Sequence, residues 1–403
     1  MEGKPDISPA PESPQTPASP QNIVRRAYAD LAEPAALPRL RALLGDGPFA
    51  KIFLFVASTA DFAAIIAAAR HEFADTPLSA CTTAGEISPD GYSDGGIVAV
   101  ALPAVHFNVR SILVENLSET DQEDLIGRFI RHRHDMAAQH PTWGHEFAFA
   151  MIDGLSTREE VLLQALSPGL GGIPLFGGSA GDGAEFGKTW VAHDGRVREN
   201  AAVISLVRTC CPVKVFSLDH FSPADYAMVV TKADPEKRTV SEINAEPALS
   251  EYARSLGLSP QEVTSNTFAS SPLVVRVGDT HHVRSILRGD DDGTLEFASA
   301  IDVGLVLRST ISGDIETHLS DTLANLARPT RPDVILACDC LWRRVEIGDK
   351  QATRAVSKIL SDNKVIGFNT YGEQIDAMHV NHTLTGVAIY PPPDGSGNGA
   401  GSG

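Results

Sequence analysis

One order of events occurs three times along this 403-residue chain, and it constrains the fold more than any other feature. An apolar strand is followed by a helical stretch. A second strand then ends in a glycine-acid turn, and a third apolar strand follows. The first copy opens with KIFLFVAS (Lys51 to Ser58), continues through ADFAAIIAAARHEF, turns at CTTAGE (Cys81 to Glu86) and closes with GIVAVAL. The second opens with FAFAMID, ending at Asp153, and continues through STREEVLLQAL. It turns at GGSAGD (Gly177 to Asp182) and closes with AAVISLV. The third opens with DVILACD, ending at Asp339, has its helix near QATRAVSKILSD, turns at FNTYGE (Phe368 to Glu373) and closes with TGVAIY. Ser156 and Glu159 form a Ser-x-x-Glu capping pattern at the start of the second helix.

The three turns align without gaps. Thr83, Ser179 and Thr370 coincide, as do Gly85, Gly181 and Gly372, followed by Glu86, Asp182 and Glu373. Glycine at such a place implies a positive φ or a close backbone approach. The turns lie beyond the carboxyl ends of strands, where ligands of α/β sheets tend to bind. Three equivalent tight turns explain the pattern equally well. If they carry a pocket, Gly85, Gly181 and Gly372 must approach one another.

Between the second and third copies the chain changes character. MVVTKADPEKRTVSE (Met228 to Glu242) reads as two strands joined by a turn. INAEPALSEYARSLG reads as a helix with Pro247 in its first turn and Gly257 as its stop. LVVRVGDTHHVRSILRGDDDGTLEFASAI reads as an antiparallel meander. The fold class is therefore α/β of the mixed α+β kind, with three strand-helix-strand copies and a β-rich insertion between the second and third. A boundary falls near Ile243. The Pro- and Ser-rich start, residues 1–21, and the Gly-rich end, residues 392–403, lack the apolar residues needed to order themselves and read as disordered tails.

The formal charge of -18 opposes binding to nucleic acid or to anionic membrane surfaces. No apolar run approaches the length of a membrane span, and no signal peptide precedes the fold. The five cysteines (Cys81, Cys210, Cys211, Cys338 and Cys340) are odd in number and form no disulfide framework. A cytoplasmic, reducing setting is expected.

The segments CTTAGEISPDGYSDGGIVAVAL, GGSAGDGAEFGKTWVAHDGRV and VVTKADPEKRTVSEINAEPALSEYA resemble the N-terminal FIST domain and its junction. SPLVVRVGDTHHVRSI, CDCLWRRVE and VIGFNTYGEQIDAMHVNHTLTGVAIY resemble the C-terminal FIST domain. The resemblance divides the chain into an N-terminal domain at 22–242 and a C-terminal domain at 243–391. It implies a sensory input module that binds a small ligand such as an amino-acid-like metabolite. Some relatives are haem-binding nitric-oxide sensors that act on histidine kinases or cyclic-di-GMP enzymes. The chain has no room for its own kinase or cyclase, so it is expected to signal in trans.

Candidate site residues follow from the residue types and the resemblance together. Asp339 beside Arg343 and Arg344 either braces a helix start or offers an anion clamp. Tyr371, Glu373 and Asn381, with the hydroxyls of Thr83, Ser179 and Thr370, complete a proposed ligand-binding set. His379 is the candidate axial ligand for haem b, which would be non-covalent because Cys-x-x-Cys-His is absent. A hydrogen-bonded histidine at a strand edge is the alternative. Zinc at Cys338, Cys340, His379 and His382 has suitable ligand types but poor spacing. Gly177 to Gly181 matches the Gly-x-Ser-x-Gly nucleophile elbow, yet no helical period follows it. An enzyme acting on a small anionic metabolite is the main alternative function. Arg238 and Arg284 either reach an anion or form surface ion pairs, His132 and His134 read as solvated, and Cys210 and Cys211 read as small apolar packing residues.

Overall fold

The computed structural model describes residues 22–278 and 280–393. The expected tail at 1–21 lies outside the described residues, as does nearly all of that at 392–403. Strands and helices mix in one α+β architecture of four multi-stranded sheets.

The first unit comprises β1 (Arg25–Asp30), α1 (Ala36–Leu44), β2 (Phe49–Ala57), α2 (Phe62–Glu72) and β3 (Leu78–Thr83). A hairpin of β4 (Glu86–Ser88) and β5 (Gly91–Ser93) follows, then β6 (Gly96–Pro103). The second comprises β7 (Phe107–Glu115), α3 (Gln122–Gln139), β8 (His145–Ile152), α4 (Glu159–Leu170) and β9 (Leu175–Ser179). Its hairpin is β10 (Val191–His193) and β11 (Arg196–Arg198), and β12 (Ala201–Thr209) closes it. The third begins with β13 (Val213–Leu218) and is then interrupted. The insertion holds β14 (Phe221–Asp234), β15 (Thr239–Ile243), β16 (Glu246–Pro247), α5 (Ala248–Ser255), α6 (Ser265–Ser270) and β17 (Leu273–Val277). It continues with β18 (Thr280–Arg284), β19 (Ile286–Gly289), β20 (Leu295–Phe297) and β21 (Val306–Ser312). The third unit resumes with α7 (Ile315–Leu326), β22 (Val334–Cys340), α8 (Leu341–Asp349), α9 (Thr353–Asp362), β23 (Val365–Thr370), a hairpin of β24 (Glu373–Ile375) and β25 (Met378–Val380), and β26 (Leu384–Ile389).

The strand orders are β1-β6-β2-β3-β10-β11, β7-β12-β8-β9-β24-β25 and β13-β26-β22-β23-β4-β5. In each sheet the strand pair flanking a helix is parallel and its other neighbours are antiparallel. Each hairpin leaves its own unit. The first unit's hairpin extends the third sheet, the second's extends the first, and the third's extends the second. This exchange closes a ring, so each of these three sheets contains backbone from a neighbouring unit.

Alternation along the central strands explains why they read as continuous apolar runs. Phe53 and Phe55 of β2, Phe147 and Phe149 of β8, and Leu336 and Cys338 of β22 face one shared core. Phe55 stacks on Phe368 at 4.5 Å, and Phe53 meets Phe149 edge-on at 5.1 Å. The intervening residues face the helices: Ile52 and Leu54 with Leu40 and Ile66, Ala148 and Ala150 with Phe129 and Leu163, and Ile335 and Ala337 with Leu319 and Val356. Burying each such large side chain contributes about 1.5–3 kcal/mol.

The insertion forms an eight-stranded sheet with its own core around Met228, Tyr252 and Phe297. The 242/243 boundary falls within β15 of that sheet. One local expectation is corrected. Helix α4 starts at Glu159 with Arg158 at the cap position and no side-chain cap bond. Glu159 is buried and engaged elsewhere, so the Ser156 capping box does not form. No helix among the described residues is long and apolar enough to cross a membrane.

Candidate functional site

The three glycine-acid turns meet at one place. Ala84 N donates to Asn369 O at 2.9 Å and Asn369 N to Gly85 O at 2.7 Å. Ser179 N donates to Gly372 O at 2.8 Å, Tyr371 N to Ser179 O at 3.2 Å, and Gly181 N to Thr82 O at 3.2 Å. Gly85 has a φ of 131°, and any side chain there would collide with the Arg344 guanidinium. A Cβ on Gly181 would lie 2.8 Å from that of Ala84. The glycines thus serve backbone crossing.

The turn side chains divide into two kinds. Thr83 donates to Glu86, and Thr370 donates to Glu373. Glu373 also accepts from Thr383 N at 3.1 Å and Thr383 Oγ1 at 2.7 Å. Burial raises Glu86 to about 7 and Glu373 to about 8, against the pull of those hydrogen bonds. The second turn differs. Ser179 is fully buried and lies 3.5 Å from Glu159 while accepting from Gln374 at 3.0 Å. Asp182 accepts from Phe186, Gly187 and Lys188 N–H groups at 2.9, 2.7 and 2.6 Å, and from the Tyr371 hydroxyl. These bonds hold the 183–188 loop over the junction.

In the third unit, Asp339 and Arg343 are fully buried. Arg343 Nε donates to Asp339 at 2.8 Å, Tyr92 donates to the other Asp339 oxygen, and Arg343 Nη1 meets His220 at 3.2 Å. His220 reaches Glu346 at 2.9 Å, and Lys350 reaches Glu346 at 2.6 Å. Burial works to raise Glu346, but His220 and Lys350 outweigh it and hold the carboxyl at about 2. Arg344 donates to Asn369 at 2.9 Å and Asp94 at 2.7 Å and lies 5.1 Å over the Tyr92 ring. Asn381 accepts from Ser299 at 2.6 Å, while its Nδ2 has no partner among the described residues.

Two cavities flank the junction. One, of about 470 Å³, lies between the first and second turns and is walled by Thr83, Gly85, Glu86, Asp94, Asp182 and Lys188. The other, of about 460 Å³, lies between the second unit and the inserted sheet. Phe186 and Tyr371, stacked at 4.4 Å, form one wall, and Arg238, Arg288, Glu159 and Glu296 are among the polar residues around it. Of the expected set, Thr83 and Tyr371 face these cavities. Asp339, Arg343, Arg344, Glu373, Asn381, Ser179, Thr370 and His379 line neither.

Arg238, read in sequence as either an anion contact or a surface pair, is buried. It bonds Glu159 at 2.8 Å, Glu160 at 2.6 Å and Ala298 O at 2.6 Å. Glu160 also accepts from Ala300 N at 2.8 Å. This latch ties the start of α4 to the inserted sheet. Sequence reasoning missed Phe186, Glu159 and Glu160. The irregular DGAEFGKTW segment was the available signal for Phe186, whereas acids in a first helical turn are ordinary and gave none for Glu159 and Glu160.

His379 is 4% exposed, its Nδ1 lies 3.3 Å from Gln374, and Gly372 packs against the ring. A porphyrin needs an open slot beside the ligating nitrogen, so this arrangement does not fit an axial haem ligand. The four residues weighed for zinc and disfavoured by their spacing form no ligand cluster among the described residues. His382 is bonded to Ser285 and to Ala269 O at 3.0 Å, whereas Cys338 joins the shared core. Among the described residues, no histidine hydrogen-bonds Ser179; its hydroxyl points to Glu159, which Arg238 holds as an ion pair, so the elbow pattern lacks the histidine base of a hydrolase. Arg284 is half-buried, and desolvation lowers its pKa.

The FIST N domain model matches residues 51–246, and the FIST C domain model matches residues 248–376. No curated protein gives a significant match. FIST domains are sensory domains of signal transduction that bind small ligands. With both domains present in order and together spanning most of its length, the chain belongs to the FIST family.

Proposed function

We propose that this protein is a sensory input module that binds a small zwitterionic, amino-acid-like metabolite in the cavity beside the Arg238 latch. Occupancy is passed to a separate signalling protein, of the histidine kinase or cyclic-di-GMP enzyme kind. The observation that carries this reading is the composition of the 460 Å³ cavity at the domain junction. Its size falls within the range of about 300–1,000 Å³ typical of small-molecule sites, and such sites favour domain interfaces. The Phe186–Tyr371 wall suits an apolar or aromatic side chain. Lys237 and Arg288, the latter paired with Glu296 at 2.6 Å, suit a carboxylate, and Glu185 suits an ammonium group. A ligand touching both walls alters how firmly α4 holds the inserted sheet, which gives binding a mechanical output.

The test is calorimetric titration of the full chain with a panel of amino acids and their derivatives. Saturable binding by one class is expected. Phe186→Ala should weaken it about tenfold or more through the lost aromatic contact, with circular dichroism unchanged. Absence of binding across the panel, or undiminished binding by the variant, overturns the reading. A Soret band on addition of haem that vanishes in His379→Ala would replace it with the haem reading.

A further inference from the structure

At the end of β12 the chain bends, and Thr209 is followed by Cys210, Cys211 and Pro212. Consecutive side chains of a regular strand point to opposite faces. Here the bend brings the two sulphurs towards one place, and Pro212 restricts Cys211 to extended backbone. The turn between β6 and β7 supplies His106. Its carbonyl accepts from Thr209 Oγ1 at 2.8 Å and Cys210 N at 3.3 Å, and Thr209 Oγ1 in turn accepts from Cys211 N at 3.0 Å. The two segments are therefore fastened together beside the three ligand atoms. A ring nitrogen of His106 and the sulphurs of Cys210 and Cys211 all lie within 4.8 Å of one another. His106 Nδ1 is 3.6 Å from Cys210 Sγ.

We propose that His106, Cys210 and Cys211 form a binding site for a thiophilic divalent cation of the zinc class. A tetrahedral ion with Zn–S of about 2.3 Å and Zn–N of about 2.0–2.1 Å sets its nitrogen and sulphur ligands about 3.6 Å apart. That is the separation already present between His106 Nδ1 and Cys210 Sγ. Charge balance favours a divalent ion. Binding releases the two thiol protons to solvent and forms two metal–thiolate bonds and one metal–imidazole bond, so +2 meets two thiolates and the buried centre is neutral. A monovalent ion would leave a net negative charge among the apolar residues that surround the cysteines. Three protein ligands leave one position open to water or to an exogenous ligand. The site is separate from both cavities at the turn junction.

Titration of the metal-free full chain with Zn2+ against a chromophoric chelator tests this, with Co2+ as the spectroscopic probe. One equivalent per chain is expected, and Co2+ should give sulphur-to-metal charge-transfer bands. Removing a metal-ligating residue should weaken Zn2+ by more than the roughly 10–100-fold typical of losing an outer-shell partner. Cys210→Ser, Cys211→Ser and His106→Gln should each show that loss, whereas Cys81→Ser should not. If Cys211→Ser fails to fold, the half-buried His106→Gln decides the matter. The proposal is overturned if Zn2+ binding is absent, if it survives His106→Gln, or if the Co2+ complex shows no charge-transfer band.

Discussion

The Asp339–Arg343 cluster and the Phe186–Tyr371 cavity lie on either side of the same turn junction and answer to opposite demands. The cluster is closed. Asp339 is held by Arg343 and Tyr92, Arg343 by Asp339 and His220, and Glu346 by His220 and Lys350. The cavity is open and combines an aromatic wall with charges of both signs. The charged motif conspicuous in the sequence belongs to the closed region. A buried charge tolerates few neighbours, so its partners must be specified closely. A ligand site keeps some surface free, and its residues come singly from distant segments.

The largest expected effect breaks the closed region. Asp339→Ala leaves Arg343 buried without its carboxylate and should cost about 3–5 kcal/mol. Chemical denaturation followed by circular dichroism measures it. A loss below about 1 kcal/mol would show that water readily enters the cluster and that the contrast with the cavity is overstated.

A smaller effect is expected at the latch. Arg238→Ala removes bonds to Glu159, Glu160 and Ala298 O and should cost about 1.5–3 kcal/mol in all, because Glu160 is partly exposed and Glu159 borders the cavity, so water can replace the guanidinium. Hydrogen exchange should rise in β15 and β20 while β2, β8 and β22 stay protected. Uniform loss of protection would make Arg238 a prop of the whole fold rather than a hinge between its parts.

The smallest effect, measured at pH 5, belongs to Glu373→Gln, which should change stability by about 1 kcal/mol or less. Its pH dependence carries the information. The folded-state value of about 8 lies above that of an unfolded glutamate, so the folded chain binds the extra proton between about pH 4.5 and 8. Wild-type stability therefore falls across that window through Glu373, and the variant should lose this part of the slope. Glu86, at about 7, keeps a similar contribution in both proteins. Equal slopes would mean that Glu373 is already ionised at its three hydrogen-bond donors.

The three strand-helix-strand runs were legible because alternating burial needs apolar residues at every position of a strand covered on both sides. The turns were legible because only glycine permits backbones to cross that closely. The extent of α8, the strand that opens each unit and the helices α1 and α7 were not read. LWRRVEIGD is polar along much of its length, and its helix is fixed by packing Trp342 and Ile347 and by the Arg343 bonds. Among the candidate residues, the sequence singled out Tyr371 and Thr83, which face cavities. It could not separate them from Glu373 and Thr370, which share the motif and are enclosed.

The sequence by itself determined that the chain is mixed α/β, that three segments share one pattern, that a β-rich stretch interrupts them, and that the FIST resemblance spans both halves. The first three follow from local periodicity and composition, which are properties of neighbouring residues, and the last from whole motif segments such as GFNTYGEQ. Only the tertiary structure decided that each hairpin joins another unit's sheet, that Arg238 meets Glu159, and that His106 meets Cys210 and Cys211. Those contacts join residues roughly 80 to 280 positions apart. They are selected by the mutual burial of sheets whose edges the local pattern leaves unpaired.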